Sequence, residues 1–367
     1  MTNDKHPAFF WIGLSSIPGV GRITFRKLVN RFGTPERALS ATPDELKELN
    51  GLPRKLAAEI GASSWREAAG REIERAADSG VDIVTLDDPS YPENLRSAPD
   101  PPLYLYIKGE LKQEDRKAVA MVGTRKPTHY GTAVTQRIAS ELASAGFTVV
   151  SGMARGIDTQ AHKGALAAKG RTIAVLGCGI DVAYPPENKG LMEEISKSGA
   201  VVTENPFGTR PEAGYFPARN RIISGLSRGT VIVEAAEDSG SLITAQYTLE
   251  QGRKLYAVPG NVGSTVSKGT NSLIKRGAAL VEDAEDIMRG LGMNGPGTRM
   301  VPGQRPLPAL TQEEEVVFRC ITGEPKHIDS IMNECRADAG RLSGALLTLE
   351  LKGLAKQLPG KYYVREV

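Results

Sequence analysis

The chain has 367 residues, 40% of them hydrophobic and 24% charged, with a formal net charge of +3. That balance is globular; it excludes a histone-like polycation and wholesale disorder, while a local stripe of charge is still enough to bind phosphates. Glycine is abundant at 40 residues but has no G-X-Y period, so collagen is excluded and the glycines point to tight turns and close approach of backbone to a ligand.

Residues 7–62 predict short helices. Thr42-Pro43-Asp44-Glu45 combines a Thr N-cap, Pro at the first helical position and Glu at the third, and Thr34-Pro35 starts another helix in the same way. Ile17-Pro18-Gly19-Val20-Gly21 and Leu49-Asn50-Gly51-Leu52-Pro53 are two Gly-containing turns between apolar helices. The pair is similar to the tandem helix-hairpin-helix arrangement of SAM-like modules. The apolar run Phe9-Phe10-Trp11-Ile12 is too short for a signal-peptide core, and no later run reaches the ~18 apolar residues of a membrane span. A soluble, cytoplasmic protein is expected. Cys178, Cys320 and Cys335 form no C-x-x-C, so neither a disulfide framework nor a zinc site is expected.

Residues 118–290 alternate strand and helix. The strand-like runs are 118–123, 147–152, 171–177, 200–204, 230–235 and 254–260, several of them almost continuously apolar. This pattern predicts an α/β fold with a doubly wound parallel sheet covered by helices on both faces. Two further runs, VDIVTL and PLYLYIKG, extend it toward the N-terminus. Residues 290–308 hold five Gly and four Pro and read as a linker. Beyond it come a Thr311-x-x-Glu314 capping box, the helical run Arg341–Lys352 and two short strands around Pro359-Gly360, an order that suits a winged helix. The expected units are 1–70 (helical module), 71–290 (core), 291–308 (linker) and 309–367 (winged helix).

In such a sheet, ligands bind at the carboxyl ends of the strands. The loops expected there are Gly123-Thr124-Arg125, Ser151–Asp158, Gly177–Asp181, 205–221, Asp238-Ser239-Gly240-Ser241 and Gly260–Asn271. Most carry Gly and precede a helix, which offers bare N–H groups to an anion. Gly177-Cys178-Gly179 lacks a third Gly and runs into Pro185-Pro186, so it is not a dinucleotide fingerprint, and no P-loop is present. Gly225-Leu226-Ser227-Arg228-Gly229 matches G-x-S-x-G, but a strand follows the Ser where a nucleophile elbow needs a helix. Glu234, Glu237 and Asp238 follow a strand and read as helix caps or Arg partners rather than metal ligands.

Residues 206–280 carry nine Arg and Lys against five Asp and Glu. Within them, Gly214-Tyr215-Phe216-Pro217-Ala218-Arg219-Asn220-Arg221 sets aromatics beside guanidiniums, the combination that base stacking and phosphate pairing require. Gly214 and Pro217 predict that Phe216 lies outside regular structure.

Gly123-Thr124-Arg125…Tyr130-Gly131, SGMARGID, AVLGCGIDVAYPPEN, FPARNRIISGLS, SGSLITA and AVPGN…SKGTN follow one another in order. Together they resemble the DNA-processing protein A (DprA/Smf) family over nearly the whole chain. The resemblance implies an extended Rossmann-like core with an N-terminal helical SAM-like module and a C-terminal winged helix. It implies a non-enzymatic protein that binds single-stranded DNA, pairs into homodimers and loads a RecA-type recombinase during natural transformation. By the same resemblance, Arg125, Phe216 and Arg219-Asn220-Arg221 line the strand-binding pocket. Gly123, Thr124 and Gly152 belong to it, and Ser239, Gly240, Ser241, Lys268 and Gly269 lie nearby. No catalytic residue, metal or cofactor is implied. Asp238 and Ala213 depart from the family pattern, each removing a positive charge. The alternative is an enzyme of the related Rossmann group that hydrolyses ribosyl monophosphates. Its P-G-G-x-G-T-x-x-E motif is matched neither at Pro259–Thr265 nor at Ser239–Leu242. Few basic residues sit at the helical turns, so a purely structural module is as well supported as contact with duplex phosphates; Arg22, at the first turn, is the exception. The Arg341–Lys352 helix, basic only at its ends, suits a protein contact or a minor DNA role.

Overall fold

Near-continuous apolar runs in the middle of the chain become strands buried on both faces. The computed structural model describes residues 3–49, 56, 59–60, 64–293 and 310–365. The core strands are β1 (Asp82–Thr85), β2 (Tyr104–Gly109), β3 (Ala118–Val122), β4 (Thr148–Ser151), β5 (Thr172–Val175), β6 (Ala200–Thr203), β7 (Gly229–Ile232), β8 (Lys254–Ala257) and β9 (Ala279–Leu280). They form one sheet in the order β1-β2-β6-β5-β4-β3-β7-β8-β9. From β6 to β9 every pairing is parallel; β2 runs antiparallel to β6 and β1 antiparallel to β2.

Side chains alternate between two cores. Ala120, Val122, Val150, Ile173 and Ile232 face one, which the helices Tyr215–Leu226 and Ser241–Glu250 close with Ile222, Ile223 and Ala245. Val119, Met121, Val149 and Val231 face the other, closed by the helices His129–Ser144, Ile157–Ala167 and Ala284–Gly290. Each buried Val or Ile contributes about 1.5–3 kcal/mol by leaving water.

The N-terminal helices Phe9–Ser16, Arg22–Phe32, Pro35–Leu39 and Pro43–Lys47 begin as their caps dictate. Thr34 accepts from Arg37 N, and Thr42 and Glu45 form the reciprocal capping box. Their apolar faces share one cluster with the helix Ser64–Asp78 and with the inner residues of β2, β5 and β6. The helix Ser64–Asp78 is continuous across residues 70 and 71, where the helical module was expected to end. Of the expected linker, residues 294–308 lie outside the described residues, as do Asn50–Pro53 of the second helical turn.

The C-terminal unit has the helices Gln312–Cys320, Ile328–Cys335 and Ala339–Leu351. Its strands are β10 (Lys326–His327), β11 (Ala355–Leu358) and β12 (Tyr362–Arg365), in the order β10-β12-β11, around a separate core. The Thr311–Glu314 capping box is present. This is the winged-helix order.

The strand order changes direction at β3, which has β4 on one side and β7 on the other. In an open parallel sheet the crevice at such a point, beyond the carboxyl ends, is where ligands bind. The predicted loops gather on that edge.

Candidate nucleic-acid interface

Phe216 lies in the first turn of the helix Tyr215–Leu226, not in irregular backbone as its neighbours suggested. Pro217 stands where a helix leaves its N–H groups unpaired, so it starts the helix rather than breaking it. The half-buried Phe216 ring packs beside Tyr184, with centroids 5.5 Å apart and planes 36° apart. It lies over Gly177, just past β5, where an added Cβ would come within 3.0 Å of the ring. Two guanidiniums flank it: Arg125 at 5.8 Å from the ring centroid and Arg219 at 6.0 Å. Arg125, Gly152, Gly177, Tyr184, Phe216 and Arg219 line one pocket across the ends of β3, β4 and β5.

The two arginines differ. Arg125 is exposed at the rim, on a loop held by Thr124 N–H donating to the Glu234 carbonyl and by Thr124 O accepting from Ile157 N–H. Arg219 is only 5% exposed and forms the floor. It donates to the carbonyls of Gly152, at 2.6 Å, and Val175. A Cβ on Gly152 would sit 2.7 Å from both the Arg219 guanidinium carbon and Asp158 Oδ2, so Gly is required there. The Asp158 carboxylate accepts from Gly152 N–H at 3.1 Å and Ala154 N–H at 3.3 Å. Burial pushes Asp158 up to about 6, against the pull of Arg219 and the two N–H donors, and brings Arg219 down to about 10. The pair is a buried pillar, with its charges internally opposed.

Asn220 joins this floor to the next loop. It accepts from Arg219 Nε at 3.2 Å and donates to the Gly240 carbonyl at 3.5 Å. Ser239 and Ser241 hydroxyls are bonded at 2.8 Å where the helix Ser241–Glu250 starts without a side-chain cap. The expected pocket residue Arg221 is elsewhere. It is 3% exposed, donates to the Glu204 carboxylate and lies 3.5 Å from an Asp100 carboxylate oxygen. Helical geometry explains it, since two residues at about 100° each turn the side chain to the opposite face. Arg22, the candidate for duplex phosphates, is committed to the same acidic pair, 3.0 Å from Asp100. Lys268 is exposed at the start of the helix Lys268–Lys275, past β8, and Gly269 N–H donates to the Ala235 carbonyl. Both lie across the switch point from Phe216, outside the pocket.

Other expectations resolve locally. Glu234 caps the helix His129–Ser144 from afar, accepting from Thr128 N–H and Oγ1 at 2.9 and 2.6 Å. Among the described residues no cluster of three His, Cys, Asp or Glu could hold a metal. Ser227 is fully buried and donates to the Ile223 carbonyl, which is not the setting of a nucleophile. Burial pushes the Cys178 thiol at the pocket wall up to about 11, so it is not a thiolate at neutral pH. All three cysteines are free, and no helix among the described residues is long and apolar enough to cross a membrane. Tyr184 and Asp158 were not singled out from sequence, although Tyr184 is a lone aromatic in a Pro-flanked run just past a strand.

The family described as DNA recombination-mediator protein A matches residues 82–292, which contain every strand of the large sheet and every pocket residue. The chain belongs to the DNA recombination-mediator protein A family. A DprA winged helix domain matches residues 301–361 and a SAM-like helix-hairpin-helix tandem matches 12–61, so all three units of this recombination-mediator architecture are present. Protein Smf of Synechocystis is 34% identical over 97% of this chain and 98% of its own length. The DNA processing protein DprA of Bacillus subtilis is 42% identical over 58% of this chain and 72% of its own. Among solved structures, DprA of Streptococcus pneumoniae superposes with a TM-score of 0.68 at 32% identity, covering 77% of this chain and 97% of that one. DNA processing protein A of Helicobacter pylori, whose structure is described for its single-stranded DNA binding mode, superposes at 0.52 and 32% identity over 57% of this chain and 95% of its own.

Proposed function

We propose that this protein binds single-stranded DNA along the carboxyl edge of its sheet and passes it to a RecA-type recombinase during homologous recombination, including natural transformation. The observation that carries the reading is the half-buried Phe216 ring, packed beside Tyr184 with an exposed cation, Arg125, at the rim and a buried one, Arg219, beneath. A π-face beside cations takes any base and its phosphate without reading sequence. Gly123, Thr124, Asn220, Ser239, Gly240 and Ser241 continue the polar edge on either side, and family membership supports the same reading.

The role is non-enzymatic. Asp158, the carboxyl under the pocket, is 5% exposed and already accepts from two backbone N–H groups, which suits a support. A non-covalent homodimer would present two such edges, giving one particle two grips on a strand. Mobility shift on single-stranded and duplex oligonucleotides, run beside an assay for base release from nucleoside monophosphates, tests the reading. Single-strand shift without base release supports it; base release without a shift contradicts it. Light scattering tests the dimer, which a 39.3 kDa particle at micromolar concentration would contradict.

A further inference from the structure

The pocket occupies one side of the switch point, at the ends of β3, β4 and β5. The other side, at the ends of β7 and β8, carries an aromatic that the pocket does not use. Tyr130 is in the first turn of the helix His129–Ser144, and 43% of it is exposed. Its hydroxyl donates to the Pro259 carbonyl, just past β8, at 3.0 Å. The start of its helix is fixed separately by Thr128, which bonds to Glu234 through both N–H and Oγ1. The side chain therefore has two anchors, one at each end, and stays partly exposed.

Among the described residues three aromatic side chains are more than a third exposed, Tyr130, Tyr215 and Tyr362. Tyr362 is in the winged helix; the other two are on the carboxyl edge, and Tyr215 adjoins Phe216. On the same edge as Tyr130 are the exposed Lys126 and Lys268 and the apolar tip Val262, 89% exposed. The charged groups that act on Tyr130 are Arg137, Glu234 and Glu282, so it offers a stacking ring without the paired guanidiniums that flank Phe216.

We propose that Tyr130 is a second base-stacking platform, and that a single strand runs across the switch point from Phe216, over the Arg125 loop, to Tyr130. This rests on the single-strand reading above and extends it to the binding path. Gly177 follows β5 and Pro259 follows β8, four strand spacings apart in the sheet, or about 19 Å at ~4.8 Å each. At ~3.4 Å per stacked nucleotide that span holds at most about six nucleotides, fewer when the strand is stretched. Anchoring the ring in advance removes the cost of ordering it on binding.

The test is fluorescence anisotropy with oligo-dT of about 4 and about 16 nucleotides, lengths that bracket the site sizes of single-strand grooves. Tyr130→Leu should bind the longer oligonucleotide about tenfold more weakly, with unchanged salt slope and melting temperature, and the loss should be much smaller on the short one. Tyr130→Phe, which keeps the ring, should stay within about threefold of wild type on both. Full affinity of Tyr130→Leu for the long oligonucleotide, with Phe216→Ala weakened, overturns this inference and leaves the single-strand reading standing. An equal loss on both lengths with a lowered melting temperature also overturns it, since that is packing and not stacking. If wild type binds neither oligonucleotide, the single-strand reading itself fails.

Discussion

Arg219 and Arg221 are two residues apart on one helix and serve opposite sides of it. Arg219 holds the Gly152 and Val175 carbonyls beneath the pocket, while Arg221 reaches Glu204 and Asp100. Asp100 also receives Arg22 and Arg26 from the N-terminal module, both at 3.0 Å. One helix thus carries the pocket floor on one face and the tie to the helical module on the other.

That tie is structural. Glu204→Ala leaves Arg221, whose side chain is 4% exposed, with Asp100 as its remaining carboxylate. A buried charge stripped of a close partner costs several kcal/mol, and Asp100 offsets part of this, so a loss of about 2–3 kcal/mol is expected in urea denaturation. The salt slope of DNA binding should not change. A slope reduced by the equivalent of one phosphate would show that Arg221 works at the interface after all.

Phe216→Ala should weaken single-strand binding by roughly 1–3 kcal/mol, the range for one base–aromatic stack. No ion pair with a phosphate is removed, so the dependence on salt should be unaltered. The comparison is isothermal titration at two salt concentrations together with a melting curve. Unchanged affinity in a well-folded variant would remove Phe216 from the site.

Arg125→Ala should do the reverse. It removes a rim cation, so the slope of log K against log salt should become shallower by about 0.7 for each phosphate that Arg125 neutralises. Stability should change little, because Arg125 is exposed. An unaltered slope would mean that Arg125 meets the base or the Phe216 ring and not a phosphate.

His162 gives a pH dependence. It is fully buried, its Nδ1 lies 2.7 Å from Thr172 Oγ1, and that hydroxyl donates its proton to the Val149 carbonyl. Nδ1 therefore carries the hydrogen and the ring is neutral. Burial first, then the charge of Arg219, brings its pKa down to about 3. Folding thus excludes a proton that the unfolded chain takes up below its ordinary value near 6.5, so stability is full above that pH and falls toward pH 3. At pH 5 the loss is about 2 kcal/mol relative to pH 7. Asp158 acts oppositely, its raised pKa removing stability as pH climbs to about 6. Comparing wild type with His162→Leu by urea denaturation at both pH values isolates the histidine, because Asp158 is common to both. The variant should lack that decrease of about 2 kcal/mol; an equal fall in both proteins would contradict the assignment.

The strands β3 to β8 were legible because they are apolar on both faces, a signal carried by sequence alone. β9 and β10 were not, since two residues hold no periodicity and only pairing defines them. The pocket was legible in its residue types, Arg125, Phe216 and Arg219, but not in its arrangement. Pro217 read as a breaker although it opens a helix, and without that helix's phase Arg221 could not be separated from Arg219. Arg221 also has partners at positions 100 and 204, a proximity that only the folded sheet creates. Tyr184 depends on the loop past β5 folding back onto Phe216, which its Pro-flanked run does not specify.

Whether a cationic edge beside the Phe216 ring holds single-stranded DNA is decided by one titration. Oligo-dT affinity is measured by fluorescence anisotropy across a series of salt concentrations. About four neutralised phosphates predict that log K falls linearly with log salt at a slope near −3. Absence of binding, or an affinity independent of salt, would contradict the account.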